Sequence, residues 1–129
     1  MRSFFGRFSL ANRVGRDGEK VAEHFLRRKG YSIVGRNITN PRGRRLGEID
    51  IVALEKDIIV FFEVKTRTSA FLPPGMLIRR EKLRRLAKIG EWYMKQTGWI
   101  GRKYRFDMLS VKEISGKEPE ITHIQNIFL

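Results

Sequence analysis

The order of periodicities along this chain of 129 residues predicts an α/β domain with the layout α-β-β-β-α-β-β, one mixed sheet flanked by helices. Three observations carry that prediction. Apolar residues recur at helical spacing between Gly15 and Gly30. Two apolar runs, Ile49 to Leu54 and Ile58 to Val64, are broken only by Glu55, Lys56 and Asp57. A basic amphipathic stretch over 78–97 is followed by two further β-rich runs. Helices interleaved with strands in this order can cover a sheet on both faces.

The first helix is expected from Val14, Gly18, Val21, Ala22, Phe25 and Leu26, and Lys29-Gly30 supplies a basic last turn and a stop. Residues 1–14 are rich in Arg and Phe and lack acid, which suits a basic N-terminal arm; an amphipathic arm, a nucleic-acid tail and a targeting remnant all fit that composition. The remainder, 15–129, reads as one domain. Tyr31 to Ile38 is a strand, and the segment around Asn40, Pro41 and Gly43 a loop. The two apolar runs form an antiparallel hairpin turning at Lys56-Asp57. The second run, Ile58 to Phe62, does not alternate, so it should be a central strand covered on both faces. On the second helix Leu83, Leu86, Ala87, Gly90 and Met94 face inward, and the bases spread over the other faces. Tyr104 to Lys112 and Ile121 to Phe128 close the sheet.

Composition bounds the chemistry. Lys and Arg number 27 against 14 acids, a formal net charge of +13, which points to polyanionic partners, nucleic acid foremost, with anionic lipid as the alternative. There is no cysteine, so any metal must be held by oxygen or by the two histidines. No apolar run approaches a membrane span, and a soluble, cytoplasmic protein is expected.

The hairpin register raises a chemical question. A turn at Lys56-Asp57 sets Asp50 opposite Glu63 with Cβ atoms about 5 Å apart, and Lys65 shares the Glu63 face. Two carboxylates beside an apolar strand repel one another and resist desolvation, and a divalent cation such as Mg²⁺ or Mn²⁺ is the natural filler. A solvated strand end with a loose Glu63–Lys65 pair is the competing reading. Glu19, at the border of the apolar arc of the first helix, could reach the outer shell of such an ion, or could offset the helix dipole; Glu23, one turn on, should be solvated. His24 and His123 read as structural or solvated, and Trp92, Tyr93 and Trp99 as core. Thr66 and Arg67 follow Lys65 and could touch a phosphate, and Asp107 could brace the site or end a strand pair.

Gly18-Glu19, then Gly47-Glu48-Ile49-Asp50, then Phe62-Glu63-Val64-Lys65-Thr66-Arg67, and later Arg105-Phe106-Asp107, resemble the YraN-like uncharacterised protein family. That family is similar to the PD-(D/E)XK, or restriction-endonuclease-like, nucleases and resembles the Holliday-junction resolvases among them. The resemblance implies an endonuclease-like core and Mg²⁺- or Mn²⁺-dependent hydrolysis of phosphodiesters, in DNA rather than RNA, with branched or damaged DNA as candidate substrates. Asp50 and Glu63 would be metal ligands, with the Val64 backbone carbonyl a third. Glu19 would act through a metal-bound water, and Lys65 would orient or deprotonate the attacking water. Ile49 stands where the superfamily motif has proline, a position with no chemistry of its own. Relatives of the resolvase type imply a two-fold homodimer. Arg42, Arg44, Arg45, Arg67, Arg79, Arg80, Lys82, Arg84, Arg85 and Lys88 would hold nucleic-acid phosphates. The alternatives are a nuclease fold that binds without turnover, or a basic accessory protein of a nucleoprotein complex.

Overall fold

The computed structural model describes residues 10–40, 47–67 and 79–128. The element order is α1 (Leu10–Arg28), β1 (Ser32–Ile38), β2 (Ile49–Glu55), β3 (Ile58–Arg67), α2 (Arg80–Thr97), β4 (Tyr104–Lys112) and β5 (Glu120–Ile124). This is the expected α-β-β-β-α-β-β layout: a five-stranded mixed sheet in the order β1-β2-β3-β4-β5, with β3 and β4 parallel and every other neighbour antiparallel. The parallel pair needs a crossover, and α2 supplies it. None of the described helices is long and apolar enough to cross a membrane.

Two boundaries differ from the sequence reading. α1 begins at Leu10, so residues 10–14, read as part of the arm, are helical. β5 ends at Ile124 instead of running to Phe128, because Asn126 takes a left-handed backbone (φ 58°) and the Ile127 N–H turns back to the Phe106 carbonyl at 2.8 Å. The left-handed turn at Asn126 and the bond back to β4 carry the chain away from the ladder.

The sheet has a core on each face. Ala22, Leu26, Val60, Phe62 and Leu109 pack on the α1 side, and Val52, Ile59, Phe61, Leu86 and Ile89 on the α2 side. β3 is therefore central and apolar on both faces, the reason its sequence does not alternate. Ile89 and Tyr93 join Leu86, Gly90 and Met94 as the buried stripe of α2, while Leu83 and Ala87 are only half-buried. Trp92 and Trp99 pack against the same core.

Two contacts fix α1 over the end of β3. A Cβ added at Gly18 would run into the Thr66 side chain, so the helix crosses the strand at a distance that an alanine could keep only if Thr66 shifted. One turn on, Glu23 is not solvated: Arg36 Nε and Nη2 donate to its two carboxylate oxygens at 2.8 and 2.6 Å, tying α1 to β1. The hydrogen bond from Arg36 holds the Glu23 carboxyl below its usual range. The close approach at Gly18 places the next residue, Glu19, at the sheet end.

Gly18→Ala should therefore lose about 1 to 3 kcal/mol of stability in urea denaturation through overpacking. Thr66→Ala in the same chain should recover part of that loss, and strictly additive changes would show that the contact does not constrain the helix.

Candidate functional site

The β2–β3 ladder pairs Glu55 with Ile58 and continues to Ile51 with Phe62, the register expected from a turn at Lys56-Asp57. Lys56 takes a left-handed backbone (φ 56°), as a two-residue hairpin turn demands. One step beyond the last pair, the Asp50 side chain turns toward β3, and its Oδ2 accepts the Val64 N–H at 2.7 Å. Glu63 shares the alternation of Ile59 and Phe61 and so faces α2, and only 5% of it is exposed. Lys65 lies on the same face, its Nζ 3.7 Å from Glu63 Oε1. Lys82, from the first turn of α2, donates to that same oxygen at 2.5 Å. The first turn of α2 thus delivers a cation to the carboxylate end.

Two further groups complete the cluster, and neither is singled out by strand or helix periodicity. Glu48 precedes β2, after Gly47 at φ 114°. Single oxygens of Glu19, Glu48 and Asp50 all lie within 4.8 Å of one another. Asn37 joins them. The flanking pairs Arg36 with Ile51 and Ile38 with Ile49 set it opposite Asp50, and its Nδ2 donates to Glu19 Oε1 at 3.0 Å and to Glu48 Oε1 at 2.7 Å. Its backbone is left-handed (φ 51°), a conformation asparagine tolerates better than most residues. The amide holds two carboxylates together without contributing charge.

The electrostatics follow from this crowding. Burial, then the charge of Glu63, pushes the Asp50 carboxyl up to about 8, although the Val64 N–H works the other way. Burial also raises Glu19; the Asn37 hydrogen bond opposes this, and the Glu48 charge adds to it. Lys65 is lowered by burial and then by Lys82. Burial works against the charge of Lys82 as well, but its bond to Glu63 outweighs this and its pKa is raised. Four carboxyl groups outnumber the two ammonium groups at the sheet end. All the donors are hard oxygens, and three stand close enough to share one ion, so the residues present fit a divalent cation of the Mg²⁺ or Mn²⁺ type.

The other candidates lie elsewhere. Asp107 is fully buried on the α1 face, where Arg105 Nε (3.0 Å), His123 Nε2 (2.8 Å) and the Asn126 N–H (2.9 Å) engage it. It ties β4 to the C-terminal segment and is remote from the Glu63 face; His123 is structural with it. His24 is exposed on α1. Thr66 meets Gly18 on the α1 face, and the Arg67 carbonyl accepts the Glu113 N–H at the end of β3. Arg79, Arg80, Arg84, Arg85 and Lys88 are exposed along α2, continuing the basic surface from Lys82. Arg42, Arg44 and Arg45 lie outside the described residues.

Comparison with known proteins places this arrangement in a family. The model of the uncharacterised protein family UPF0102 matches residues 18–111. A UPF0102 protein of Desulfosudis oleivorans is 40% identical over 115 residues, covering 88% of each chain. One from Alkaliphilus oremlandii is 38% identical over 92% of this chain and all of its own. Another, from Geobacter metallireducens, is 40% identical over 93% of this chain and 96% of its own.

A site that crowds like charges should weaken the fold that carries it. Asp50→Asn keeps an oxygen for the Val64 N–H while removing one charge, so it should raise the melting temperature of the metal-free protein, by about 1 kcal/mol or more in stability. The folded-state pKa lies above the unfolded one, so the gain should be absent in acid, where both states hold the proton, and should grow until the pH passes about 8. An unchanged or lower melting temperature across that range would show that the carboxylate is not under repulsive load.

Proposed function

The chain belongs to the uncharacterised protein family UPF0102, and we propose that it is a metal-dependent nuclease that hydrolyses phosphodiester bonds of DNA. One observation supports this above the rest: oxygens of Glu19, Glu48 and Asp50 converge within 4.8 Å at a sheet end where Glu63, Lys65 and Lys82 also meet, on a chain of net charge +13. Acids alone could serve many ends. Acids beside two lysines, next to an exposed row of arginines, suit a phosphate that must be both held and attacked.

In this reading Asp50, Glu48 and Glu19 hold the ion, Asn37 fixes the spacing of the two glutamates, and Glu63 and the Val64 carbonyl stand as further ligands. Bound there, a divalent cation would act as a Lewis acid toward the phosphate and lower the pKa of a coordinated water. Lys65, its pKa lowered by burial and by Lys82, sits where it can orient the attacking water and take up or share its proton. The water oxygen bonds to phosphorus as one P–O ester bond breaks, the departing sugar oxygen takes a proton from solvent and leaves as a hydroxyl, and the charge gathering on the phosphoryl oxygens is met by the Lys65 and Lys82 ammonium groups. Lys82 must leave Glu63, at least in part, to do so; the pair at 2.5 Å therefore holds the cation ready beside the site. Arg79, Arg80, Arg84, Arg85 and Lys88 position the duplex backbone, and Arg67 at the end of β3 and Arg42, Arg44 and Arg45 of the sequence are further candidates for phosphate contact. A two-fold dimer would present two such sites.

A second reading keeps the binding surface and drops turnover. The Glu63–Lys82 contact favours it specifically, since a lysine already satisfies the carboxylate that would otherwise turn toward an ion.

Labelled single-stranded, duplex, flap and four-way-junction DNA incubated with Mg²⁺ or Mn²⁺ separates the two. Wild type should cleave at least one of them. Asp50→Asn and Glu48→Gln should lower the rate by about a hundredfold or more while leaving DNA affinity intact or higher. Lys65→Ala should reduce the rate and also weaken binding. A wild type that binds DNA and cuts nothing on the panel supports the binding module.

Binding itself should be strongly salt-dependent. Neutralising Arg84 and Arg85 should reduce the slope of log affinity against log salt by about 1 to 2, since each arginine that neutralises a phosphate adds about one unit. A slope unchanged by both substitutions would remove α2 from the interface.

A further inference from the structure

Large apolar side chains exposed among the described residues are few, and most gather in one place. Ile100 is 58% exposed, Tyr104 57% and Phe128 43%. Two adjoining grooves run beside α2 there and share Ala87, Tyr104 and Phe106; one reaches Ile100 and Arg102, the other Phe128. The Tyr104 ring is braced from behind. It meets Phe61 and Phe106 edge-on, at centroid distances of 6.4 and 6.2 Å, and Phe128 meets Phe106 edge-on at 4.9 Å. The platform is thus an exposed aromatic surface on a buried aromatic base, Phe61 and Phe106.

Its position relates it to the carboxylates. Phe61 and Glu63 share a strand face, so Tyr104 stands on the same side of the sheet as Glu63 and Lys65. Tyr104 pairs with Ile59, four residues before Glu63 on β3, which places it about 13 Å along the strand from the site. Lys88 lines the groove at Tyr104 together with one acid, Glu91, and Arg102 and Lys103 flank the ring, so cations predominate around it.

The occupant must offer flat apolar faces and carry negative charge. A second copy of this chain seated on the patch would set Lys88, Arg102 and Lys103 against basic groups of the same surface. An unpaired nucleic-acid strand meets both demands, because its bases stack on aromatic rings while its phosphates seek the lysines and arginines. We propose that Tyr104 is the stacking platform for an unpaired strand of the substrate, so that the preferred substrate is a nucleic acid with a single-stranded segment beside the cleaved bond and not an uninterrupted duplex. The proposal rests on the reading of the carboxylate end as a phosphodiesterase site. Duplex bases are already stacked on one another and offer no face to the ring.

Binding measured without metal tests this independently of cleavage. The full chain, in EDTA at low salt, is titrated into 2-aminopurine-labelled oligothymidine and into a blunt hairpin duplex. Tyr104→Ala should weaken single-strand binding about tenfold and change duplex binding less than twofold, and Tyr104→Phe, which keeps the ring, should bind like wild type. Tyr104→Leu keeps apolar contact with Phe61 and Phe106 and should lose the single strand as the Ala variant does, which guards against a folding defect. Unaltered single-strand affinity in the Ala and Leu variants, or an equal loss on duplex, overturns the proposal. So does a concentration-dependent dimer of the wild type that Tyr104→Ala dissociates with no change in oligonucleotide affinity, since the patch would then belong to a second copy. Failure to cleave under any condition bears on the nuclease reading and does not alter this binding measurement.

Discussion

The repulsion among Glu19, Glu48, Asp50 and Glu63 is the constraint on which the rest of the site depends. These carboxylates are brought to the sheet end by contacts that the fold, not the site, supplies. α1 delivers Glu19 because Gly18 lies against Thr66. β2 delivers Asp50 because the hairpin register fixes it beside Val64, and β3 delivers Glu63 on the α2 face. Burial on the two apolar cores of the sheet provides the cohesion that holds these charges together. The cost is concentrated where the chemistry would occur, as expected of a site built for a cation.

Neutral and positive groups limit that cost without abolishing it. Asn37 gives one amide to two glutamates, and the Val64 N–H serves Asp50. Lys82 and Lys65 converge on a single oxygen of Glu63. Asp50 is left with little compensation, and its carboxyl is displaced far upward, to about 8. The opposite face handles its buried acid differently. Asp107 is met by Arg105, His123 and a backbone N–H, while Arg105 extends to Glu55 and to the Tyr31 hydroxyl. A fully partnered buried carboxylate is a fastening between strands; an under-partnered one has capacity for a ligand.

Much of this is legible in the sequence, and the reason is local. The hairpin is tight, its turn is polar, and both strands are apolar, so the levels of Asp50 and Glu63 follow from counting across Lys56-Asp57. The amphipathic pattern of α2 and the doubly buried β3 are equally plain. What escapes depends on irregular backbone. Glu48 lies before β2, beyond a glycine with positive φ, where period-two reasoning does not apply, and Asn37 sits in a bulged edge strand with a left-handed backbone. Glu23 reads as solvated in sequence because its partner Arg36 comes from another element. Lys82 reads as a phosphate contact, and nothing in helical periodicity alone tells that it bends to Glu63. The adjacent Gly47-Glu48-Ile49-Asp50 run is the one signal that draws attention to Glu48.

That these carboxylates form a cation site is tested most directly by diffraction at the manganese absorption edge from crystals soaked in Mn²⁺. An anomalous peak is expected, bounded by oxygens of Asp50, Glu48 and Glu19, at about 2.0 to 2.3 Å from its ligands, with Lys82 drawn away from Glu63. Crystals that show no peak at this position, with Lys82 still on Glu63 and the three carboxylates unmoved at a saturating Mn²⁺ concentration, would contradict it.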